Sequence, residues 1–178
     1  DLNELGIDDI YIVTNYLEEE FEEEFEEYTN VNLVHQEEVD GTAKALELCD
    51  FIEEDFFVVN GDVLISKPDL ENLKDKHEET GSNATILATN QNKPEKFGVL
   101  SITNDRVNTI EEKPEDAENT LVNTGIYVFT PEIFDTIAET DSADLTDSVK
   151  KIVEDGDVRF EIADNYWMDI DEPIKLWE

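Results

Sequence analysis

The chain has 178 residues, 39% of them hydrophobic and 9% aromatic, enough to bury a core as one domain or most of one. Its 48 Asp plus Glu against 12 Lys plus Arg give a formal net charge of -36, with the acids spread from Asp1 to Glu178. That balance argues against nucleic acid and anionic membrane surfaces as partners, because affinity for both comes from Lys and Arg neutralising phosphates. Self-repulsion of this size destabilises a compact state in dilute buffer. Near 1 M salt the screening length falls to roughly 3 Å, so the composition points to a halophilic cytoplasm. Cys49 is the single cysteine, no apolar run approaches the roughly 18 residues of a membrane span, and no basic-then-apolar leader opens the chain. The expectation is a soluble, cytoplasmic protein without disulfides.

In chain order, residues 1–6 read as the last turn of a helix with Gly6 as its C-cap. They lead into an apolar strand, Ile10–Val13. A helix follows from about Tyr16, in which Leu17, Phe21, Phe25 and Tyr28 recur on one face and Glu fills the other; the Glu run is a solvated face. The strand Asn32–His35, a helix opening at Gly41-Thr42 with Thr42 as N-cap, and the strand Phe56–Val59 continue an α/β rhythm. Farther on come a helix from Pro68 to about Thr80, strands at 84–89, 97–103, 106–111 and 122–129, the last three antiparallel, and helices at 131–138 and 145–154. Another helix is under way at Trp177-Glu178. The pattern predicts a mixed, mainly parallel sheet flanked by helices.

Several short motifs admit chemistry. Asn60-Gly61-Asp62 follows Phe56–Val59, and Asn-Gly between apolar runs reads first as a hairpin turn. The second reading puts Asp62 just past the carboxyl end of a parallel strand, where ligands of open α/β sheets bind and a carboxylate can hold Mg²⁺. Gln36 to Glu47 nearly fits a calcium-binding EF-hand loop but lacks the leading Asp, and the segment before it is strand-like. Lys113, in Glu111-Glu112-Lys113-Pro114, is a candidate anion contact because cations are so scarce. Tyr166-Trp167-Met168-Asp169 reads as an aromatic anchor beside a surface acid. His35 and His77 have no partners at metal-ligand spacing and are read as structural. Cys49, sharing a helical face with Leu46 and Ile52, has no base in view and no chemical role.

Taken in order, Leu5-Gly6-Ile7-Asp8-Asp9-Ile10-Tyr11-Ile12-Val13, Gln36 with Gly41-Thr42-Ala43, Asn60-Gly61-Asp62, Phe97-Gly98-Val99, Glu111-Glu112-Lys113-Pro114, Asn123-Thr124-Gly125-Ile126-Tyr127, Leu145-Thr146-Asp147 and Trp167-Met168-Asp169 resemble the sugar-phosphate nucleotidyltransferase family. The resemblance implies a Rossmann-like mixed sheet with a nucleotide-binding half and a sugar-binding half. Asp62 and Asp169 would then be Mg²⁺ ligands; Gln36, Gly41 and Thr42, with Asp62, would meet the nucleotide; Gly98, Glu112 and Asn123 would meet the sugar. Lys113 would be the catalytic residue on the sugar phosphate. The implied reaction is in-line attack of a sugar 1-phosphate oxygen on the α-phosphorus of a nucleoside triphosphate, releasing pyrophosphate.

The family's opening strand, Gly-rich loop and first helix would lie upstream of Asp1, making residues 1–178 a partial domain, inactive alone. Within the family, residues 60–62, 121–127 and 165–173 look most like archaeal bifunctional enzymes that make UDP-N-acetylglucosamine. Such proteins continue into a left-handed β-helix acetyltransferase domain and form homo-oligomers. Glucose-1-phosphate uridylyl- and thymidylyltransferases share nearly all the blocks. Two rival classes are a non-catalytic regulatory subunit of the same fold and an acidic calcium binder built on Gln36 to Glu47.

Overall fold

A computed structural model describes residues 2–170. The helix expected at 177–178, and residues 171–173 of the family-like ending, lie outside these. The described chain is an α/β sandwich built on β5 (Ala84–Asn90) and β8 (Leu121–Phe129), the two longest apolar strands of the main sheet. Strand order is β7-β6-β8-β5-β9, with β6 (Gly98–Thr103), β7 (Arg106–Glu112) and β9 (Val158–Ile162) completing that path. On its other side β8 also pairs with β3 (Phe56–Val59), Phe56 facing Phe129. Two smaller ladders stand apart. Parallel β1 (Ile10–Thr14) and β2 (Val31–His35) form one, and antiparallel β4 (Val63–Ile65) and β10 (Trp167–Asp169) the other.

Alternation along the strands sorts side chains into two cores, since neighbouring residues point to opposite faces. Ile86, Tyr127 and Phe129 point into one, where α2 (Thr42–Glu47), α4 (Ile133–Thr140) and α5 (Leu145–Asp155) add Leu46, Ile137 and Val149. Leu87, Ile126 and Val128 point into the other, covered by Leu70 and Leu73 of α3 (Lys67–Thr80). Helices on both faces explain why residues 84–88 are all buried. α3 is bounded by its own chemistry: Ser66 Oγ accepts from Asp69 N at the start, and Gly81, with φ of 57°, ends it.

The mixed α/β class holds, but the parallel share is smaller than expected. β8 runs antiparallel to β3, β5 and β6, and only β1–β2 and β5–β9 pair in parallel among the described residues. β3 and β5 do share a direction, as a helical crossover requires; β8 is inserted between them. Strands β4, β9 and β10 go beyond the sequence expectation. β9 does alternate, Val158-Arg159-Phe160-Glu161-Ile162, whereas β4 and β10 are three residues each, too short for periodicity to register. α1 (Glu18–Phe25) begins after Leu17, whose φ of 58° takes it off the expected stripe. Phe21 and Phe25 stack on each other, 6.4 Å apart, and no residue of α1 is buried. Residues 2–5 form a 3-10 turn, and Gly6 takes the positive φ its C-cap position invites.

The surface acids outnumber what the cations can pair. Raising KCl from about 0.1 M to about 2 M is expected to raise the unfolding midpoint by on the order of 10 °C, since screening removes repulsion across the whole surface. Circular dichroism melts of the whole protein would show this, and a midpoint indifferent to salt would contradict it.

Candidate functional site

The Asn60-Gly61-Asp62 turn is not a hairpin. β3, before it, pairs with β8, and β4, after it, pairs with β10. Gly61 does not take the positive φ that a type I′ turn demands. The segment instead passes the chain from one sheet to another. Asn60 N donates to Gly125 O at 3.2 Å, and Gly125 has φ of 77° with the Asn60 side chain lying where its Cβ would be. Asp62 emerges exposed at the start of β4. The β10 ladder brings Asp169 opposite Val63, and Ile170 N donates to Asp62 O at 2.6 Å. The two acids, more than a hundred residues apart in sequence, thus sit at adjoining ends of one short antiparallel pair.

Asp169 lines an open cleft of about 660 Å³ together with Gln91, Asn92, Lys93, Glu95, Lys96, Phe97 and Lys113. Three cations in one cleft stand out in this chain. Lys44, Lys67, Lys76, Lys150 and Lys151 lie 2.8 to 3.2 Å from carboxylates, Lys74 is paired with Glu78, and Arg159 approaches Asp105. Lys93 and Lys96 have no ion-pair partner among the described residues. Lys113 has only a loose contact with Glu112 at 3.7 Å. Its backbone is held in the left-handed region, φ 45°, with its N–H donating to Phe97 O at 3.0 Å. Such a conformation costs about 1 kcal/mol or more for a residue with a Cβ and recurs at functional sites.

Lys113 also lines a second cleft of about 450 Å³, with Gly41, Thr42, Asn60, Glu112, Tyr127 and the 143–146 segment. Between the clefts, Gly98 pairs with Glu112, and a Cβ on Gly98 would lie 3.0 Å from Glu112 Oε2 and 3.6 Å from Asn123 Cβ. Asn123 is fixed from both ends: Nδ2 donates to Tyr127 OH at 2.6 Å and Oδ1 accepts from Gly125 N at 3.0 Å. Burial pushes the Tyr127 phenol up to about 12, keeping it neutral as an acceptor for that amide.

Thr42 is not the N-cap of α2. Gly41 holds that position with φ of 127°, and Thr42 Oγ1 accepts from Leu145 N at 3.0 Å, tying α2 to α5. Gln36 follows β2, donates its backbone N–H to Thr14 O at 2.7 Å, and donates Nε2 to Asp40 Oδ1 at 2.9 Å; neither cleft includes it.

The sites read as structural behave physically as such. His77 is buried, its Nδ1 2.8 Å from Thr85 Oγ1, and burial lowers its pKa. His35 meets Glu18 at 2.9 Å. Cys49 is buried, and burial raises its thiol pKa, away from a reactive thiolate. The calcium-loop segment is preceded by strand β2 and its last residue, Glu47, lies in α2 against Lys44, which is not an EF-hand. No cluster of three or more His, Cys, Asp or Glu at metal-binding spacing occurs among the described residues, and no helix among them is long and apolar enough to cross a membrane. Lys93, Lys96 and Asn92 went unread in the sequence, although the scarcity that singled out Lys113 applied equally to both lysines.

Residues 1–178 match the model of the nucleotidyl transferase family, and the chain belongs to that family. It is 31% identical over 180 residues to the bifunctional protein GlmU of Methanocaldococcus jannaschii, covering 97% of this chain and 42% of that protein. It is 30% identical over 184 residues to mannose-1-phosphate guanyltransferase 2 of Candida glabrata, covering 97% of this chain and 51% of the relative. A crystal structure from Bacillus anthracis, described as a glucose-1-phosphate thymidylyltransferase in complex with sucrose, superposes with a TM-score of 0.88 at 26% identity, over 99% of this chain and 76% of that one. The chain thus spans about half or less of the length of these curated relatives.

The floor of the second cleft depends on a close approach. A Cβ on Gly41 would overlap the carbonyl of Ala143, a backbone group that accepts from Ala43 N at 2.9 Å. Gly41→Ala is therefore expected to destabilise by about 2 kcal/mol or more, combining the clash with an unfavourable φ. Urea unfolding of the whole protein checks this, and a loss under about 0.5 kcal/mol would mean that the 41–43 and 143–145 contact is dispensable.

Proposed function

We propose that the whole protein carrying this chain transfers a nucleotidyl group from a nucleoside triphosphate to a sugar 1-phosphate, giving a nucleoside diphosphate sugar and pyrophosphate. The observation that carries this is the juxtaposition of Asp62 and Asp169 on paired strand ends beside a cleft lined by Lys93, Lys96 and Lys113. The donors at 62 and 169 are hard carboxylate oxygens, and two of them suit Mg²⁺, which keeps several waters and takes its remaining ligands from substrate phosphates. When bound, Mg²⁺ would neutralise phosphate charge and hold the triphosphate for in-line displacement.

The chain's own residues supply positioning. Lys113, reaching both clefts from its fixed left-handed backbone, would meet the sugar phosphate where the attacking oxygen lies. Gly98, having no Cβ, lets the Glu112 carboxylate and Asn123 pack closely against β6, and those two side chains would offer a carboxylate acceptor and an amide to the hydroxyls of a sugar. Gly41 and Thr42 in the second cleft would meet the nucleotide, and Gln36 just after β2 and Asp62 just before β4, which line neither cleft, would meet it from outside them. A Gly-rich loop upstream of Asp1 would add backbone N–H donors to the phosphates. No covalent intermediate with the protein is needed, so catalysis is orientation and charge neutralisation.

The base and sugar we favour are UTP with N-acetylglucosamine 1-phosphate, on the resemblance of residues 60–62, 121–127 and 165–173 to archaeal bifunctional enzymes, or with glucose 1-phosphate, the sugar phosphate named for the Bacillus anthracis structure. A β-helix domain and homo-oligomer would then accompany this one, in a salt-rich cytoplasm consistent with the charge of -36. A regulatory subunit of the same fold would bind but not turn over.

The test is pyrophosphate release by the whole protein in concentrated KCl with Mg²⁺, from UTP with either sugar phosphate, TTP with glucose 1-phosphate, and GTP with mannose 1-phosphate. Release from one pair is expected. Asp62→Asn and Asp169→Asn should each lower kcat by about 100-fold or more. Lys113→Ala should lower kcat/KM for the sugar phosphate by about 10- to 100-fold, the worth of one charge-assisted contact. Silence with every pair would favour the regulatory reading, and full activity in either aspartate variant would refute the metal assignment.

A further inference from the structure

The side chain of Asp69 is completely buried, at 0% exposure, in the first turn of α3. A carboxylate is retained in such a place only when its oxygens are saturated with donors, and these are. Oδ2 accepts from Ser66 Oγ at 2.6 Å and from Asn165 N at 3.3 Å. Oδ1 accepts from Asp164 N at 3.1 Å and Asn165 Nδ2 at 2.9 Å. Capping α3 does not require this arrangement, because Ser66 Oγ already accepts from Asp69 N at 3.3 Å. Three of the four bonds instead cross to residues 164–165, the segment that leads into β10.

That crossing matters because β10 is three residues long. A ladder so short has little intrinsic register, and a slip of one residue turns every side chain to the opposite face. β4 runs directly into Ser66 and α3, so a residue anchored on α3 is rigidly related to β4. The carboxylate of Asp69 therefore fixes β10 to β4 at the end away from the acids, where Ser66 N also donates to Tyr166 O at 3.3 Å. Ile170 N to Asp62 O closes the other end. Trp167, between them, donates Nε1 to Thr124 O at 3.2 Å and meets the Phe97 ring edge-on at 5.6 Å.

We propose that Asp69 is a positioning residue that sets the register of β10 and so presents Asp169 beside Asp62 for a divalent cation. It touches neither cation nor substrate. The inference rests on the reading of Asp62 and Asp169 as cation ligands. It adds a third acid whose part is played through backbone N–H groups.

The test is Mn²⁺ affinity of the whole protein, read from the electron paramagnetic resonance of the free ion, with hydrogen exchange across 164–170 alongside. Asp69→Asn turns one acceptor oxygen into a donor facing other donors. It is expected to weaken Mn²⁺ about 10-fold or more, as for residues that orient metal ligands, and to speed exchange at Asn165 and Ile170. Asn165→Ala removes one of the four bonds and leaves the buried carboxylate. It should weaken Mn²⁺ several-fold, and it serves if Asp69→Asn does not fold. A merely structural role would lower the number of Mn²⁺ sites, or the yield, at unchanged affinity per site; that result overturns the proposal. Asp169→Asn separates the two readings. If it abolishes Mn²⁺ binding while the Asp69 and Asn165 variants bind normally, the positioning role alone falls. If it too binds normally, the cation reading falls and this inference with it.

Discussion

Three residue pairs between β4 and β10, with Ile170 N closing on Asp62 O, are the constraint on which the site's geometry depends. Everything that holds this small ladder lies outside it. The Asp69 carboxylate grips its far end, Trp167 seats it on the second core through Thr124, and Phe97, the residue before β6 and part of the lysine-lined cleft, meets the same indole. Through those contacts the position of Asp169 is set by α3, β8 and β6 together.

Electrostatics gives the clefts their character. Across most of the surface the few cations are committed to nearby acids, and exposed pairs of that kind contribute little to stability, on the order of 1 kcal/mol or less each. Their effect is local neutralisation against a background of -36. Lys93, Lys96 and Lys113 depart from that pattern, standing together with weak partners or none among the described residues. An anion approaching this protein is repelled nearly everywhere, so the place where uncommitted cations converge is where a phosphate has least to overcome. The acids at 62 and 169 sit at the edge of that place, where a cation and a polyphosphate would each favour the other's binding.

The apolar strands and capped helices were legible because their signals are local. Phe56–Val59 and the strand expected at 122–129 announce themselves by composition, and α3 by the helical run opening at Pro68, whose caps Ser66 and Gly81 the structure adds. What local rules misjudged was decided by distant partners. Asn60-Gly61 has hairpin chemistry, yet β3 found β8, far along the chain, so the turn became a passage between sheets. Thr42 is a good N-cap residue, but its hydroxyl went to Leu145 N across to another helix. Asp62 and Lys113 could be singled out from the sequence through order of motifs and scarcity of charge. Asp69 could not, because an Asp in a helix's first turn is unremarkable until the loop at 164–165 is seen to close over it.

The most direct test of the account is a crystal structure of the whole protein with Mn²⁺ and a non-hydrolysable nucleoside triphosphate analogue, with the ion located by anomalous scattering. The account predicts that Asp62 and Asp169 would hold the ion, with the triphosphate of the analogue beside it and Lys113 on the side left for the sugar phosphate. An ion held elsewhere, or a triphosphate bound away from the two acids, would contradict it.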